Sequence, residues 1–183
     1  LRYYNIMDPE MRERMLKTVL EADLHEGRDA LSQLICLGRT DLSEASAVLT
    51  GRLLKSSEFQ RRAALPFFVL WNRDDLGDAV EDEISILRND PSSYVRRRLV
   101  NSIWALGSHD PGSLRILSEL SRDGKRAVRA EVAGTLGELE EGGPGGLDPA
   151  LELLLNDGDP YVRLSAFRGL LNNVNVSPEK VVP

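Results

Sequence analysis

Apolar residues recur with helical spacing in the second half of the chain, and the pattern restarts three times. In each copy, two apolar residues lie six and three positions before an aspartate, and a second apolar group lies 3, 7 and 10 positions after an arginine. The first groups are Ile84 and Leu87, Leu117 and Leu120, Leu151 and Leu154; the second groups are Leu99, Ile103 and Leu106, then Val132, Leu136 and Leu139, then Ala166, Leu170 and Asn173. Each copy is therefore predicted to form two helices joined by a turn, and the weaker last copy is typical of a terminal unit facing solvent.

A polar segment separates the two apolar groups of each copy. It begins with Asp and ends six residues later with Val-Arg, as in Asp90–Arg96, Asp123–Arg129 and Asp157–Arg163. The closing arginines lie 33 and 34 residues apart (129 − 96 and 163 − 129). A period in this range is typical of stacked helical hairpins, in which each hairpin buries its apolar face against its neighbours.

Acidic residues before prolines predict where several helices start. Asp110-Pro111, Asp148-Pro149 and Asp159-Pro160 each combine an N-cap side chain with a proline suited to the first helical turn. We predict one domain over residues 1–183 with about ten helices in five hairpins. Its parts are an irregular hairpin at 1–40, repeats at 41–77, 78–109, 110–146 and 147–174, and a tail at 175–183.

A degenerate copy of the repeat lies upstream of the three regular ones. Phe59-Gln-Arg-Arg62 aligns with Tyr94-Val-Arg-Arg97, which gives a 35-residue step between Arg61 and Arg96 (96 − 61). This copy lacks the aspartate, and Pro66 is expected to kink the helix or to mark its start. In the same alignment Trp71 falls at a core position.

These residues resemble HEAT repeats, in particular the short bacterial and archaeal kind named after phycobilisome lyases. The resemblance covers about residues 41–174 and is strongest over 78–174. It implies an all-α fold, a right-handed α-α superhelix. It also implies that the aspartates and arginines form a half-buried structural ladder between hairpins: Asp90, Arg96, Asp123, Arg129, Asp157 and Arg163. An anion-binding row is the less favoured interpretation of the same residues, because buried charges are normally paired.

Composition and charge narrow the function classes. Hydrophobic residues make up 42% of the chain, charged residues 28% and aromatic residues 5%, as in a folded soluble protein with an aliphatic core. The net charge of −6 argues against general affinity for nucleic acid or an anionic membrane. The longest apolar run, residues 63–71, is too short to span a bilayer. We therefore expect no membrane association, and we do not favour nucleic acid as a partner.

The sequence offers no catalytic or metal-ligating constellation. His25 and His109 lie in predicted turns without partners at metal-ligand spacing, and Cys36, the single cysteine, lies in an apolar run. One unpaired cysteine and the absence of a signal-peptide pattern favour a cytoplasmic location. We expect no metal, no cofactor and no enzymatic activity.

The most definite candidate surface lies on the second helix of each repeat. Positions 1, 2, 5 and 9 after each repeat arginine point away from the apolar side, and they mix basic, acidic and polar residues. The predicted contacts with a partner are Arg62, Arg97, Arg98, Asn101, Glu131, Glu138, Arg168 and Asn172. Trp104 lies at the margin of the apolar side; it is either an interface anchor or, as we favour, a filler between hairpins.

The favoured function is a non-enzymatic scaffold that binds a protein or peptide on its concave face, because a mixed-charge surface suits a partner of complementary charge. One alternative is nucleic-acid binding of the kind seen in alkylation-repair DNA glycosylases built from HEAT-like repeats, for which Arg97, Arg98 and Trp104 give a limited argument. A bilin-lyase-like subunit is a third possibility that no particular residue supports. A solvated face without any partner also stays open.

Overall fold

A computed structural model describes residues 50–51, 53–71, 79–108, 110–139 and 147–173, and all regular structure in these ranges is α-helical. The all-α prediction is therefore confirmed. The helices are α1 (Phe59–Arg62), α2 (Leu65–Trp71), α3 (Ala79–Arg88), α4 (Ser93–Leu106), α5 (Pro111–Leu120), α6 (Arg126–Leu139), α7 (Pro149–Leu155) and α8 (Pro160–Asn172). The predictions for the hairpin at 1–40, for His25, Cys36 and His109, and for the tail fall outside the described residues.

The chain divides into two compact units, residues 1–89 and 90–183. In the first unit, α2 packs against α1 and α3. Leu65 and Val69 on α2 and Leu87 on α3 are fully buried, and Phe68 and Ile84 are nearly so. The boundary between the units falls inside the predicted repeat at 78–109.

In the second unit, the second helices of successive repeats lie side by side. Helix α6 is in the middle and packs against α4 and α8, while α5 and α7 each pack against α6, and α7 also packs against α8. Most of the predicted apolar positions form the core between these helices; Leu99, Ile103 and Leu117 are fully buried, whereas Leu106 and Leu139 are half-buried. Asn173, at the last position of the weakest copy, is also buried and donates from Nδ2 to the Gly137 carbonyl at 3.0 Å.

Helices α6 and α8 approach each other through glycines. A Cβ atom added to Gly137 would lie 2.7 Å from the backbone nitrogen of Leu170, and one added to Gly169 would collide with the carbonyl oxygen of Gly134. Such distances are shorter than van der Waals contact, so only glycine permits this approach at these two positions.

The predicted helix starts are confirmed by the capping geometry. Asp110 accepts hydrogen bonds from the backbone N–H groups of Gly112 and Ser113 at 2.9 and 3.1 Å, ahead of Pro111 in the first turn of α5. Asp148 and Asp159 cap α7 and α8 in the same way. Helix α4 is capped at its C-terminus by Gly107, whose φ of 59° is the left-handed conformation that favours glycine at this position.

The degenerate repeat is aligned one residue differently from the prediction. Arg62 is buried, and its Nη1 donates to the carbonyl of Ser56, six residues earlier, at 2.5 Å. The repeat arginines make the same bond to the residue six positions before them: Arg96 to Asp90, Arg129 to Asp123 and Arg163 to Asp157. Arg62 rather than Arg61 is thus the repeat arginine, and the step to Arg96 is 34 residues (96 − 62). The prediction that Arg62 contacts a partner is wrong, because its side chain is buried.

The same one-residue shift explains why Trp71 is exposed. Counted from Arg62, positions 3 and 7 are Leu65 and Val69, which are both fully buried. Trp71 then falls at position 9, and it is 62% exposed and stacked on Phe67, so the prediction of a core tryptophan is wrong. Helix α2 begins at Leu65, so Pro66 lies in its first turn and marks a helix start, which was one of the two predicted alternatives.

Candidate functional site

Arginine–aspartate pairs connect successive repeats of the second unit. Arg96 donates from Nε and Nη2 to the two carboxylate oxygens of Asp123 at 2.6 and 2.9 Å, and Arg129 donates likewise to Asp157 at 2.7 and 3.1 Å. Because Nη1 of each arginine is bound within its own turn, one guanidinium joins two turns. Bidentate pairs of this kind are strong and geometrically specific. We call the pairs Arg96–Asp123 and Arg129–Asp157 the rungs.

The carboxylates of the rungs are held in their ionised form. Burial tends to raise the pKa of Asp123, but the hydrogen bond from Arg96 and the backbone N–H of Lys125 outweigh it, so that the pKa lies below its usual value. The hydrogen bond from Arg129 lowers the pKa of Asp157. The hydrogen bonds that the guanidinium groups donate to these carboxylates raise the pKa of Arg96 and of Arg129. The rungs therefore stay charged at neutral pH, and their hydrogen bonds join neighbouring repeats.

A groove runs across the exposed side of α4, α6 and α8 and contains a cleft of about 440 Å³. Its walls include two sets of internally bonded polar side chains. Arg97 on α4 donates to Glu131 on α6 at 2.8 and 3.0 Å. Glu138 on α6 accepts hydrogen bonds from the Trp104 indole on α4 and from Asn172 on α8. The partners of each bond lie 34 residues apart, so the groove repeats with the same period as the helices.

The middle of the cleft is open because α6 has no side chain there. Position 5 after the repeat arginine reads Asn101, Gly134 and Arg168 on the three helices. The side chains of Asn101 and Arg168 line the cleft on either side of Gly134, and neither has a hydrogen-bond partner among the described residues. Beside them, Trp104 and Tyr161 are 50% and 54% exposed. The cleft thus offers an amide, a guanidinium and two aromatic rings.

The structure brings together most of the residues predicted to contact a partner. Those that line the cleft are Arg97, Asn101, Glu131, Glu138 and Arg168. Asn172 is bonded to Glu138, whereas Arg98 is half-buried and does not line the cleft.

Two features of the cleft were not predicted from the sequence. Tyr161 was missed, although it lies two residues before its repeat arginine, as Tyr94 does in an earlier copy. The bonds between neighbouring helices were missed too. Their signal was the 34-residue spacing from Arg97 to Glu131 and from Glu138 to Asn172.

The described ranges contain neither a group of His, Cys, Asp or Glu residues that could hold a metal ion nor a helix long and apolar enough to cross a membrane. Comparison with curated proteins gives no match. A family model of HEAT repeats matches residues 80–171, half of the chain, and spans α4 to α7 with most of α3 and α8. The chain belongs to the HEAT-repeat family.

Proposed function

We propose that this protein is a non-enzymatic scaffold and that it binds a segment of another protein in the groove formed by α4, α6 and α8. The observation behind the proposal is the cleft of about 440 Å³, in which Asn101 and Arg168 flank the open position at Gly134. Its volume suits a few side chains of a bound segment. Unused donors and half-exposed aromatic rings are groups that protein interfaces employ. The proposal also includes a cytoplasmic location, which is supported by the presence of a single cysteine in the chain.

The charges of the groove favour a protein over a nucleic acid. The guanidinium of Arg97 is occupied by Glu131, and the Trp104 indole donates to the Glu138 carboxylate. A phosphate backbone entering the groove would meet both carboxylates, whereas nucleic-acid channels are uniformly basic. A segment of mixed charge can instead match Arg168 and Glu138 separately.

The proposal is tested by cross-linking from the groove, followed by binding measurements. A photoreactive amino acid replaces Ser165, which lines the cleft, and in a matched variant it replaces Glu119, an exposed residue of α5 outside the cleft. A protein cross-linked from Ser165 but not from Glu119 in extract of the source cells is then purified, and its affinity is measured by calorimetry. Arg168→Ala is expected to weaken that affinity roughly tenfold, since interface arginines often contribute about 1–2 kcal/mol or more.

The control is Arg122→Ala, which removes an exposed arginine of the turn between α5 and α6 and should leave the affinity unchanged. Equal affinities of the Arg168→Ala variant and the wild type would contradict the groove as the binding site. If the protein bound duplex DNA at micromolar concentration and low salt, and Arg168→Ala reduced that affinity, the partner would be a nucleic acid and not a protein.

A further inference from the structure

The last repeat arginine presents a hydrogen-bonding edge that its counterparts use for the next repeat. Nη1 of Arg163 donates to the carbonyl of Asp157 at 2.7 Å, as Nη1 of Arg129 does to Asp123 at 2.8 Å. This shared bond fixes the guanidinium in the same way within each turn. In Arg129 the remaining Nε–Nη2 edge holds a carboxylate of the following repeat. Among the described residues, no carboxylate accepts a hydrogen bond from that edge of Arg163.

The apolar side of α8 beside this edge is uncovered. On α6, positions 1, 4 and 8 after the repeat arginine are Ala130, Ala133 and Gly137, which are all buried; Gly137 lies directly against the α8 backbone. On α8 the same positions are Leu164, Phe167 and Leu171, and these residues are 45%, 39% and 72% exposed. Three large apolar residues therefore occupy the positions that a following repeat would bury. We call Arg163, Leu164, Phe167 and Leu171 the end face.

We propose that the end face binds a helical hairpin of another protein that has an aspartate in its turn. The apolar side of that hairpin covers Leu164, Phe167 and Leu171, and its aspartate pairs with the Nε–Nη2 edge of Arg163 in the geometry of the rungs. The guanidinium accepts a planar carboxylate at two points, so the partner is selected by shape as well as by charge. The contact is separate from the groove and does not depend on the function proposed there.

The described residues of a second copy do not match this description. Of the turn aspartates in the described residues, Asp123 and Asp157 are already held in rungs, and Asp90 is 3% exposed. The corresponding position of the first described repeat is Ser56, which has no carboxylate. Among the described residues, a second copy thus has no turn aspartate available, and we infer that the aspartate belongs to a different polypeptide.

The test uses the full chain and a fluorescent peptide of residues 147–173, which contains one helical hairpin of this protein with Asp157 in its turn. Fluorescence anisotropy should show saturable binding. The peptide carrying Asp157→Asn, and the protein carrying Arg163→Gln, should each bind roughly tenfold more weakly, as expected for the loss of a charge-assisted bidentate pair. Phe167→Ala should also weaken binding. Arg122→Gln is the control and should bind as the wild type does.

Several results would overturn the proposal. One is an absence of binding up to about 1 mM peptide. A second is equal affinity of the unchanged peptide and the Asp157→Asn peptide, or an Arg163→Gln variant that binds like Arg122→Gln. A third is self-association in sedimentation experiments that Arg163→Gln abolishes, which would make the occupant a second copy. A fourth is that a Glu179→Gln variant binds the peptide more strongly than the wild type does. This result would show that the chain's own residues 174–183 occupy the end face.

Discussion

At the scale of single residues, each rung arginine has two tasks that the structure separates by atom. Nη1 of Arg129 stabilises its own turn through a backbone carbonyl, and Nε with Nη2 holds Asp157 of the next repeat. Asp157 in turn accepts the backbone N–H of Asp159 at 2.8 Å. A lysine has no planar fork and would not reproduce this set of bonds, which explains why arginine occupies the position.

The lowered pKa values of the rung carboxylates predict how stability depends on pH. The pKa of Asp123 and of Asp157 is lower in the folded protein than in the unfolded chain, where it is about 3.9. Each carboxylate therefore stabilises the fold fully above that unfolded value, and this contribution is lost as the pH falls through the folded pKa. Asp157→Asn should be less stable than the wild type at pH 7, and the difference should shrink below about pH 4.

Urea unfolding followed by circular dichroism between about pH 7 and pH 3 measures this difference. Glu152→Gln removes an exposed carboxylate of α7 and serves as the matched control. A stability difference between the wild type and Asp157→Asn that stays constant over this whole range would show that the charge of Asp157 does not contribute.

At the scale of helices, the close contact between α6 and α8 requires glycine at some positions and not at others. A Cβ added to Gly169 collides with the Gly134 carbonyl, and one added to Gly137 lies 2.7 Å from the Leu170 nitrogen. A Cβ added to Gly134 lies 3.9 Å from the Ser165 carbonyl oxygen, which is ordinary contact. Three glycines on two neighbouring helices therefore differ in whether an added methyl group fits.

We predict opposite effects for alanine at these positions. Gly169→Ala and Gly137→Ala should lower the free energy of unfolding by about 1–3 kcal/mol, because backbone atoms must move apart. Gly134→Ala should raise it by roughly 0.5–1 kcal/mol, since alanine favours the helix and fits the space. Chemical denaturation of the three variants decides; a Gly169→Ala variant as stable as Gly134→Ala would contradict the close approach of α6 and α8.

The sequence predicted the helices of the second unit well because their polar and apolar positions agree with one another. Asp110 and Asp148 before prolines marked helix starts that the structure contains. The repeat around Arg62 was aligned wrongly by one residue, because Ser56 replaces the aspartate and the short helix α1 ends before Pro66. Without that aspartate, either Arg61 or Arg62 could be aligned with the repeat arginines. The alignment of Arg61 was wrong, and it placed Trp71 at a core position.

The groove was predicted less completely than the helices. Helical spacing placed Arg97 and Glu131 on one side of their helices, which the cleft shows. Spacing along a helix does not reveal bonds between helices, so both residues were taken as separate partner contacts. The depth of the cleft depends on how closely α6 and α8 approach, which only their packing determines.

At the scale of the whole molecule, the chain has two compact units, and the repeats are clearest in the second. There α6 contacts α4 on one side and α8 on the other, so stability should arise from each hairpin and from its contacts with immediate neighbours. The rungs are the polar part of those contacts. They are the feature that distinguishes a stack of coupled repeats from a set of helices with a shared core.

The coupling between Arg129 and Asp157 tests this account most directly. A double-mutant cycle with Arg129→Gln and Asp157→Asn compares the free energies of unfolding of the single and double variants. The pair Arg126–Asp159, 3.6 Å apart with Arg126 exposed and Asp159 half-buried, gives a comparison cycle with the same substitutions. We predict a coupling of about 1–3 kcal/mol for Arg129–Asp157 and less than about 0.5 kcal/mol for Arg126–Asp159. Equal couplings for the two pairs would contradict the claim that arginine–aspartate rungs hold neighbouring repeats together.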